Sequence, residues 1–454
     1  MKKYICREVR RIENALSFGM PGHKGRDYFD LRLSSDVTEF WDTDFLLHPQ
    51  GAIEKSQKEV AKLFGAKESF YITNGSSGAL HIALSLFTKR KSRVLIQRNT
   101  HQSIYHGMIL QDLEPVYLST KYDWERGFYV GIDLKELEEK LKANSIDVAV
   151  FVSPNYYGGI LRLKEIVHLC HTYHVPVIVD EAHGAHLYFG QQKNLGALAA
   201  GADLVVHSTH KMIPSLTQTA LLHIGSDRVR SEEVLRAMKL FLSTSPSYLF
   251  LQSQEEGLDY MEKEGSLRMK EVIRWRKELH QEYGIANLQR PDESLADYDP
   301  LKFLFQIRGR SGHEIVENLF LRYNIRLEMG DLYYGLAILS PLHNREEIQR
   351  LGRAVQELSQ EEGQKNWSIH KIIFPKIEQV LSPREAFDRP TQWVELSQGS
   401  DRISGGIIAL YPPGVPLVSY GERIGKEILE EIQRYQEAGL EVLGIENGKI
   451  EVVK

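Results

Sequence analysis

The sequence predicts an α/β protein: a large domain built on a mostly parallel, doubly wound sheet, followed by smaller α/β units. Three observations predict it. From about residue 60 to 225, short apolar strands alternate with helical patterns, the rhythm of a parallel sheet covered by helices. Several of the strands, VPVIV among them, are near-continuous branched apolar runs, which suit strands buried on both faces. The polar and ionisable residues that interrupt these runs fall at strand ends, where open α/β sheets bind ligands.

The elements follow in order. SFYIT (69–73) reads as the first strand, with a helix from about Gly78. RVLIQR (93–98) is the next, with a helix near residues 103–110. EPVYLS, VAVFVSP, VPVIVDEA, DLVVHSTH and ALLHIG are further strands, and LKEIVHLCHTY (163–173) has the 3.6-residue apolar spacing of a covering helix. Residues from about 231 to 285 are charged and helical in pattern and lead out of the sheet. The break at Arg290-Pro-Asp-Glu-Ser precedes a second α/β unit that opens on KFLFQIRG (302–309). A further unit starts near Pro375, with YPPGVP (411–416), an amphipathic helix over about 421–437, and a hairpin turning at Asn447-Gly448. The resulting boundaries are 1–35, 36–285, 286–372 and 373–454.

Bulk properties narrow the function. The 454 residues are 42% apolar and 26% charged, as in an ordinary globular chain. The net charge of −5 offers no global basic field for nucleic acid or an anionic membrane. Two cysteines, Cys6 and Cys170, make neither a disulfide framework nor a zinc ribbon and suit a reducing cytoplasm. No apolar run approaches the length of a membrane span, and the first residues lack the apolar core of a secretory signal.

The stretch VIVDEAHGAH (177–186) resembles the magnesium-binding strand of a nucleotide-driven motor. Such a motor needs a phosphate loop, G-x-x-x-x-G-K-[ST]. The nearest fragment, GERIGKE (421–427), has the wrong spacing and no hydroxyl after Lys426. A metal site is the other reading of Asp180, Glu181, His183 and His186, but a strand running into a turn scatters those side chains to different faces.

Four segments give Asp180 better company. Thr73-Asn-Gly-Ser-Ser-Gly78 follows a strand and opens a helix; free amides there, with the hydroxyls of Ser76 and Ser77, make a phosphate cradle. His101, in RNTHQS (98–103), stands at a strand end where an imidazole can stack on a flat ring. Asp180 ends an apolar strand, where a carboxylate needs a cationic partner such as a protonated pyridine nitrogen. Lys211, in STHKM (208–212), follows an apolar strand, Ser208 and His210; lysines so placed lose solvation and become Schiff-base formers. A phosphate cradle, a stacking ring, a carboxylate for a ring nitrogen and a Schiff-base lysine together describe pyridoxal 5′-phosphate.

The sequence resembles the bacterial Orn/Lys/Arg decarboxylases, fold-type-I pyridoxal-phosphate enzymes. The matching stretches include MPGHKG (20–25), HPQGAIEKSQ (48–57), NGSS (74–77), RNTHQS, SPNYYGG (153–159), VDEAHGAH, HSTHK (207–211), STSPSY (243–248) and DRISGGIIALYPPGVPL (401–417). They run nearly end to end in family order, most like the shorter members without an N-terminal wing domain. The resemblance implies a cytoplasmic lyase of polyamine metabolism that decarboxylates lysine, arginine or ornithine. By it, Lys211 carries the cofactor, Asp180 partners its ring nitrogen with His183 beside it, His101 stacks on its face, and Ser76, Ser77, Ser208 and His210 contact phosphate. It further implies a homodimer with shared active sites, residues 1–35 near the interface and STSPSY reaching the neighbouring subunit's phosphate. Three places depart from the usual pattern, at Asn99-Thr-His-Gln102, at Thr43 to His48 and at Tyr420-Gly-Glu422. For the basic end of a substrate the sequence offers Glu328 and Asp331, without choosing between a pocket acid and a loop acid. Another pyridoxal-phosphate reaction on the same fold, or a catalytically weak regulatory paralogue, is the alternative function.

Overall fold

A computed structural model describes residues 14–26, 33–361, 378–411, 415–437, 439 and 441–454. Cys6, most of the first segment and the middle of YPPGVP therefore lie outside the described residues. All seven expected strands form: β1 (Glu68–Ile72), β2 (Arg93–Gln97), β3 (Glu114–Leu118), β4 (Val148–Val152), β5 (Val177–Asp180), β6 (Leu204–His207) and β7 (Ala220–Ile224). They make one sheet in the order β1-β7-β6-β5-β4-β2-β3. Only β7 runs against its neighbours, so the carboxyl ends of the other six strands share one edge.

Side-chain alternation explains why helices cover both faces. Val94, Ile96, Val150, Ile178 and Val206 point into one apolar cluster. Their immediate neighbours Leu95, Ala149, Phe151, Val179 and Val205 point into the other. A strand apolar at every position buries both faces, and each needs a helical layer. On the first face lie helices α1 (Gly75–Phe87) and α2 (Gln102–Gln111); α3 (Leu163–Thr172), carrying buried Cys170, packs on the second. The helical stretch after β7 is three helices, Ser231–Phe241, Tyr248–Tyr260 and α4 (Ser266–Tyr283).

The second unit opens where expected. Strand Lys302–Phe305 pairs antiparallel with Gly335–Ile338, which also pairs with Met329–Gly330. Helix Arg345–Gln360 buries Ile348, Leu351, Val355 and Leu358, the spacing of one helical face, and a capping box of Asn344 and Glu347 fixes its start. In the last unit, strand Lys449–Val453 pairs with Thr391–Glu395, and Asn447 and Gly448 make the tight turn with φ of 50° and 77°. The amphipathic helix runs Lys426–Glu437 rather than from 421. Its expected first residues instead form a loop: Gly421 has φ of 79°, and Glu422 and Arg423 bridge to Gln379 and Ile403. Among the described residues no helix is long and apolar enough to cross a membrane.

Candidate active site

Strand ends β1, β2, β4, β5 and β6 converge on a cavity of about 620 Å³ lined by Ser76, His101, Tyr156, Asp180, His183 and Lys211, among others. After β1 the chain turns through Gly75, φ 70°, whose amide donates to Gln218 O at 2.8 Å, and enters α1. The Ser208 hydroxyl, arriving from β6, donates to Ser76 Oγ at 2.7 Å. Two hydroxyls from different strands thus meet at the N-terminus of α1, where free amides point outward. Ser77 is on the same turn but outside the cavity lining. His210 is outside it too, with Nδ1 2.9 Å from the Thr219 carbonyl. Since a carbonyl only accepts, Nδ1 carries the proton there, and the neutral ring has none on Nε2 to offer a phosphate.

Lys211 sits on the short turn Thr209–Met212, half-buried, with Nζ 3.2 Å from His183 Nε2. Burial lowers its pKa, against the pull of Asp180 and Glu328. Asp180 is 4% exposed and, among the described residues, accepts a single hydrogen bond, from Ala182 N at 3.1 Å. Burial raises its carboxyl, and Lys211 draws it back down. A buried carboxylate facing a cavity with one donor is fitted for a cationic N–H inside that cavity, which is what a pyridinium presents. Among the described residues the buried hydroxyl of Thr100, also in the lining, has no hydrogen-bond partner. His101 caps α2, its Nδ1 accepting from Ser103 N at 3.2 Å, and leaves its ring open to the cavity. The residues present fit pyridoxal phosphate: an amine, a lone carboxylate, a flat ring and a hydroxyl cradle on one edge.

The other acids of VDEAHGAH separate as a strand-to-turn passage requires. Glu181 accepts from Tyr188 Oη, Ala197 N and His207 Nε2, each within 2.9 Å, on the far side of the sheet end. His186 pairs with Asp299 at 2.9 Å. Among the described residues no group of three or more such side chains could hold a metal ion.

Glu328 and Asp331, equal in sequence, part ways in space. Asp331 is buried and spent: Tyr157 Oη donates to it at 2.8 Å, and the amides of Tyr333 and Tyr334 at 2.7 Å each. Glu328 is half-buried and held by two cavity-lining residues, Met20 N at 2.7 Å and Tyr156 Oη at 2.5 Å. Met20 comes from MPGHKG, whose Gly22 amide donates to His210 O at 2.7 Å; a Cβ on Gly22 would lie 2.7 Å from Ile213 O.

Sequence reasoning missed three features. Arg98, from RNTHQS, makes a buried two-point ion pair with Glu422 at 2.6 and 2.7 Å and ties the last unit to the sheet. That unit supplies Ile407, Ala409, Tyr420 and Leu443 to the cavity wall. Lys302, fully buried, stands behind His183 with Nζ 3.2 Å from its Nδ1. A lysine opening an apolar strand was the one available cue for the last.

Known proteins resemble the chain in sequence and in fold. The family described as "Orn/Lys/Arg decarboxylase, major domain" matches residues 9–291, and "Orn/Lys/Arg decarboxylase, C-terminal domain" matches 368–447. The chain is 30% identical to an arginine decarboxylase of Bacillus subtilis, over 100% of this chain and 96% of that one. Its fold is that of the Francisella novicida lysine decarboxylase, with a TM-score of 0.78 at 21% identity, covering 90% of this chain and 73% of the other. The fold extends to a ureidoglycine–glyoxylate aminotransferase from Bacillus subtilis, TM-score 0.58 at 14% identity, covering 75% and 92%. The aminotransferase shares the fold, whereas both decarboxylase domains find their match here in sequence and in chain order, and the chain belongs to the Orn/Lys/Arg decarboxylase family.

Proposed function

We propose that the protein is a pyridoxal-5′-phosphate-dependent carboxy-lyase that removes the α-carboxylate of a basic amino acid, lysine, arginine or ornithine, as CO2 and releases the amine. The observation that carries this is the pairing of a desolvated Lys211 with a buried, singly bonded Asp180, from adjacent strand ends, across one cavity. The bound cofactor supplies an electrophilic carbon for the substrate amine and a pyridinium that takes up the electron pair left when the C–C bond breaks.

The chain's own residues divide the remaining work. Lys211 Nζ would hold the cofactor and supply the amine that carries a proton to the α-carbon. Asp180 keeps the proton on the ring nitrogen. His101 would stack on the cofactor ring, with His183 beside Lys211. The hydroxyls of Ser76 and Ser208, Ser77 on the same turn and the first amides of α1 would hold the phosphate, while His210 is bonded to the Thr219 carbonyl. Exposed Ser243 and Ser245 lie away from the cavity, and the Ser245 hydroxyl meets Glu39 at 3.2 Å, beside Phe40 and Trp41, which are 60% and 95% exposed. This supports a homodimer in which STSPSY serves the other subunit's site, and light scattering reads the mass.

Arginine ranks first among the substrates, since Bacillus relatives of matching length include arginine decarboxylases. Glu328 is the acid for its guanidinium: each carboxylate oxygen has a second lone pair beyond the bonds to Met20 and Tyr156. The test is a product assay with equal lysine, arginine and ornithine, followed by mass spectrometry. Agmatine and CO2 are expected to dominate; an oxo acid in place of an amine overturns the reaction. Glu328→Gln is expected to raise KM for arginine by roughly ten- to a hundredfold, the worth of a hydrogen bond to a charged group, with a smaller change in kcat.

A further inference from the structure

We propose that Lys302 is a positioning residue: its ammonium fixes the tautomer of His183, so that the ring turns its Nε2–H toward Nζ of Lys211 and holds that nitrogen as an unprotonated amine. The proposal builds on Lys211 as the reacting amine. Lys302 itself is no part of the cavity lining and acts through His183.

The argument is one of donors and acceptors. Lys302 opens the strand Lys302–Phe305 and is 0% exposed, a position lysine takes almost only when its charge is met. Its Nζ has three neighbours: Tyr156 O at 2.8 Å, Asn155 O at 3.0 Å and His183 Nδ1 at 3.2 Å. An ammonium has three hydrogens and no lone pair, so three acceptors saturate it. The Tyr156 ring, 5.4 Å away, adds a further favourable face for a cation. Two of the neighbours are carbonyls, which only accept, and the third, Nδ1, must then accept as well. A neutral imidazole accepting at Nδ1 carries its hydrogen on Nε2.

That hydrogen has one place to go. Nε2 lies 3.2 Å from Lys211 Nζ, and an N–H meeting an ammonium there would set hydrogen against hydrogen. The contact is therefore a bond only when Nζ offers its lone pair. The surrounding charges are named readily. Asp180 and Glu328 favour the ammonium form of Lys211, and burial opposes it. Burial, Lys211, Lys302, His101 and His186 all hold His183 neutral. Burial is the largest influence on Lys302 and, with Lys211, lowers its pKa to about 7 against the pull of Asp299 and Glu328, so the ammonium that fixes the ring is the form present below that pH. Below about pH 7 the cation of Lys302 thus stands one ring away from Lys211, the amine whose own pKa burial lowers.

Two measurements on the full-length chain freed of cofactor test this. The first is 15N NMR of ring-labelled histidine, with His183 assigned from the resonance missing in His183→Gln. Below about pH 7, where Lys302 is an ammonium, the protonated nitrogen is expected to be Nε2; a ring protonated at Nδ1 there overturns the proposal, whatever any variant does. The second is brief reductive methylation with labelled formaldehyde over a pH series, with mass spectrometry reading Lys211. In Lys302→Met the donor to Nδ1 is gone, so the ring is free to carry its proton on Nδ1, and Nε2 becomes an acceptor for an N–H of Lys211. The pH of half-labelling is expected to rise by about one unit, a tenfold loss of free amine at fixed pH, and the His183 proton to move to Nδ1. An unmoved midpoint or an unmoved proton in this variant overturns the proposal. Neither readout involves cofactor, so a chain that passes both and makes no amine from arginine refutes the functional reading alone.

Discussion

Lys211→Ala is expected to abolish turnover of lysine, arginine and ornithine, by roughly 10⁴-fold or more, while the protein stays folded. A single acid–base group supplies up to about 10⁴, and this nitrogen is the nucleophile toward the cofactor as well. Borohydride reduction of the loaded parent should leave the cofactor's mass on the peptide containing Lys211 and none on the variant; equal turnover in the two proteins would remove Lys211 from the mechanism. The fold survives because a half-buried, desolvated amine is unfavourable on its own account. What changes is the pH dependence of stability. Asp180 has a folded-state pKa raised by burial and pulled back by Lys211. Between its unfolded and its folded value the native state binds the extra proton, so stability falls as pH rises through that window. Without Lys211 the carboxyl rises further and the window widens. The apoprotein variant is thus expected to lose thermal stability more steeply than the parent from about pH 4 toward neutrality, and superimposable profiles would show that the two side chains do not feel each other.

The sheet was legible because its information is local. Seven apolar runs each carry their own hydrophobic period and each became a strand, four of them within a residue of the expected limits, while VAVFVSP, VPVIVDEA and DLVVHSTH gave strands two to four residues shorter. The residues at strand ends were legible for the same reason, since topology sends β1, β2, β5 and β6 to one edge and their terminal side chains follow. Long-range pairing was not legible. Lys302 meets the carbonyls of Asn155 and Tyr156 across 147 and 146 residues, and nothing near it names those partners. Glu328 and Asp331 share one short segment and one residue type, yet the turn at Tyr333 and Tyr334 consumes Asp331 and leaves Glu328 beside the cavity. A buried charge in sequence announces that a partner exists; only the fold says which.

Arg98 and Glu422 are 324 residues apart, and their separation on the chain makes them the clearest test of how the last unit is held. Both are buried, at 8% and 2% exposure. Arg98 also donates to Leu417 O at 2.9 Å and lies over the Tyr117 ring, while Glu422 accepts from Ser419 N at 3.0 Å. Cutting a buried pair on one side strands the other charge, at a cost of about 3–5 kcal/mol. Glu422→Ala is therefore expected to lower the unfolding free energy by that amount in denaturant titrations. Glu422→Gln, which keeps one acceptor for the guanidinium, should lose less. The double variant Arg98→Met with Glu422→Leu, which removes both charges and fills the space, should recover most of the loss, as buried pairs replaced by apolar side chains commonly do. Activity separates structure from function here. Ile407, Ala409, Tyr420 and Leu443 reach the cavity from the unit that Glu422 anchors, and Arg98 begins the loop that carries His101. Glu422→Ala should thus raise KM for arginine even at temperatures where the protein remains folded, and the apolar double variant should restore stability further than it restores KM, because packing replaces the anchor but not its direction. An unfolding free energy unchanged in Glu422→Ala would mean that the last unit docks by its apolar contacts alone, and that Arg98 serves the His101 loop only.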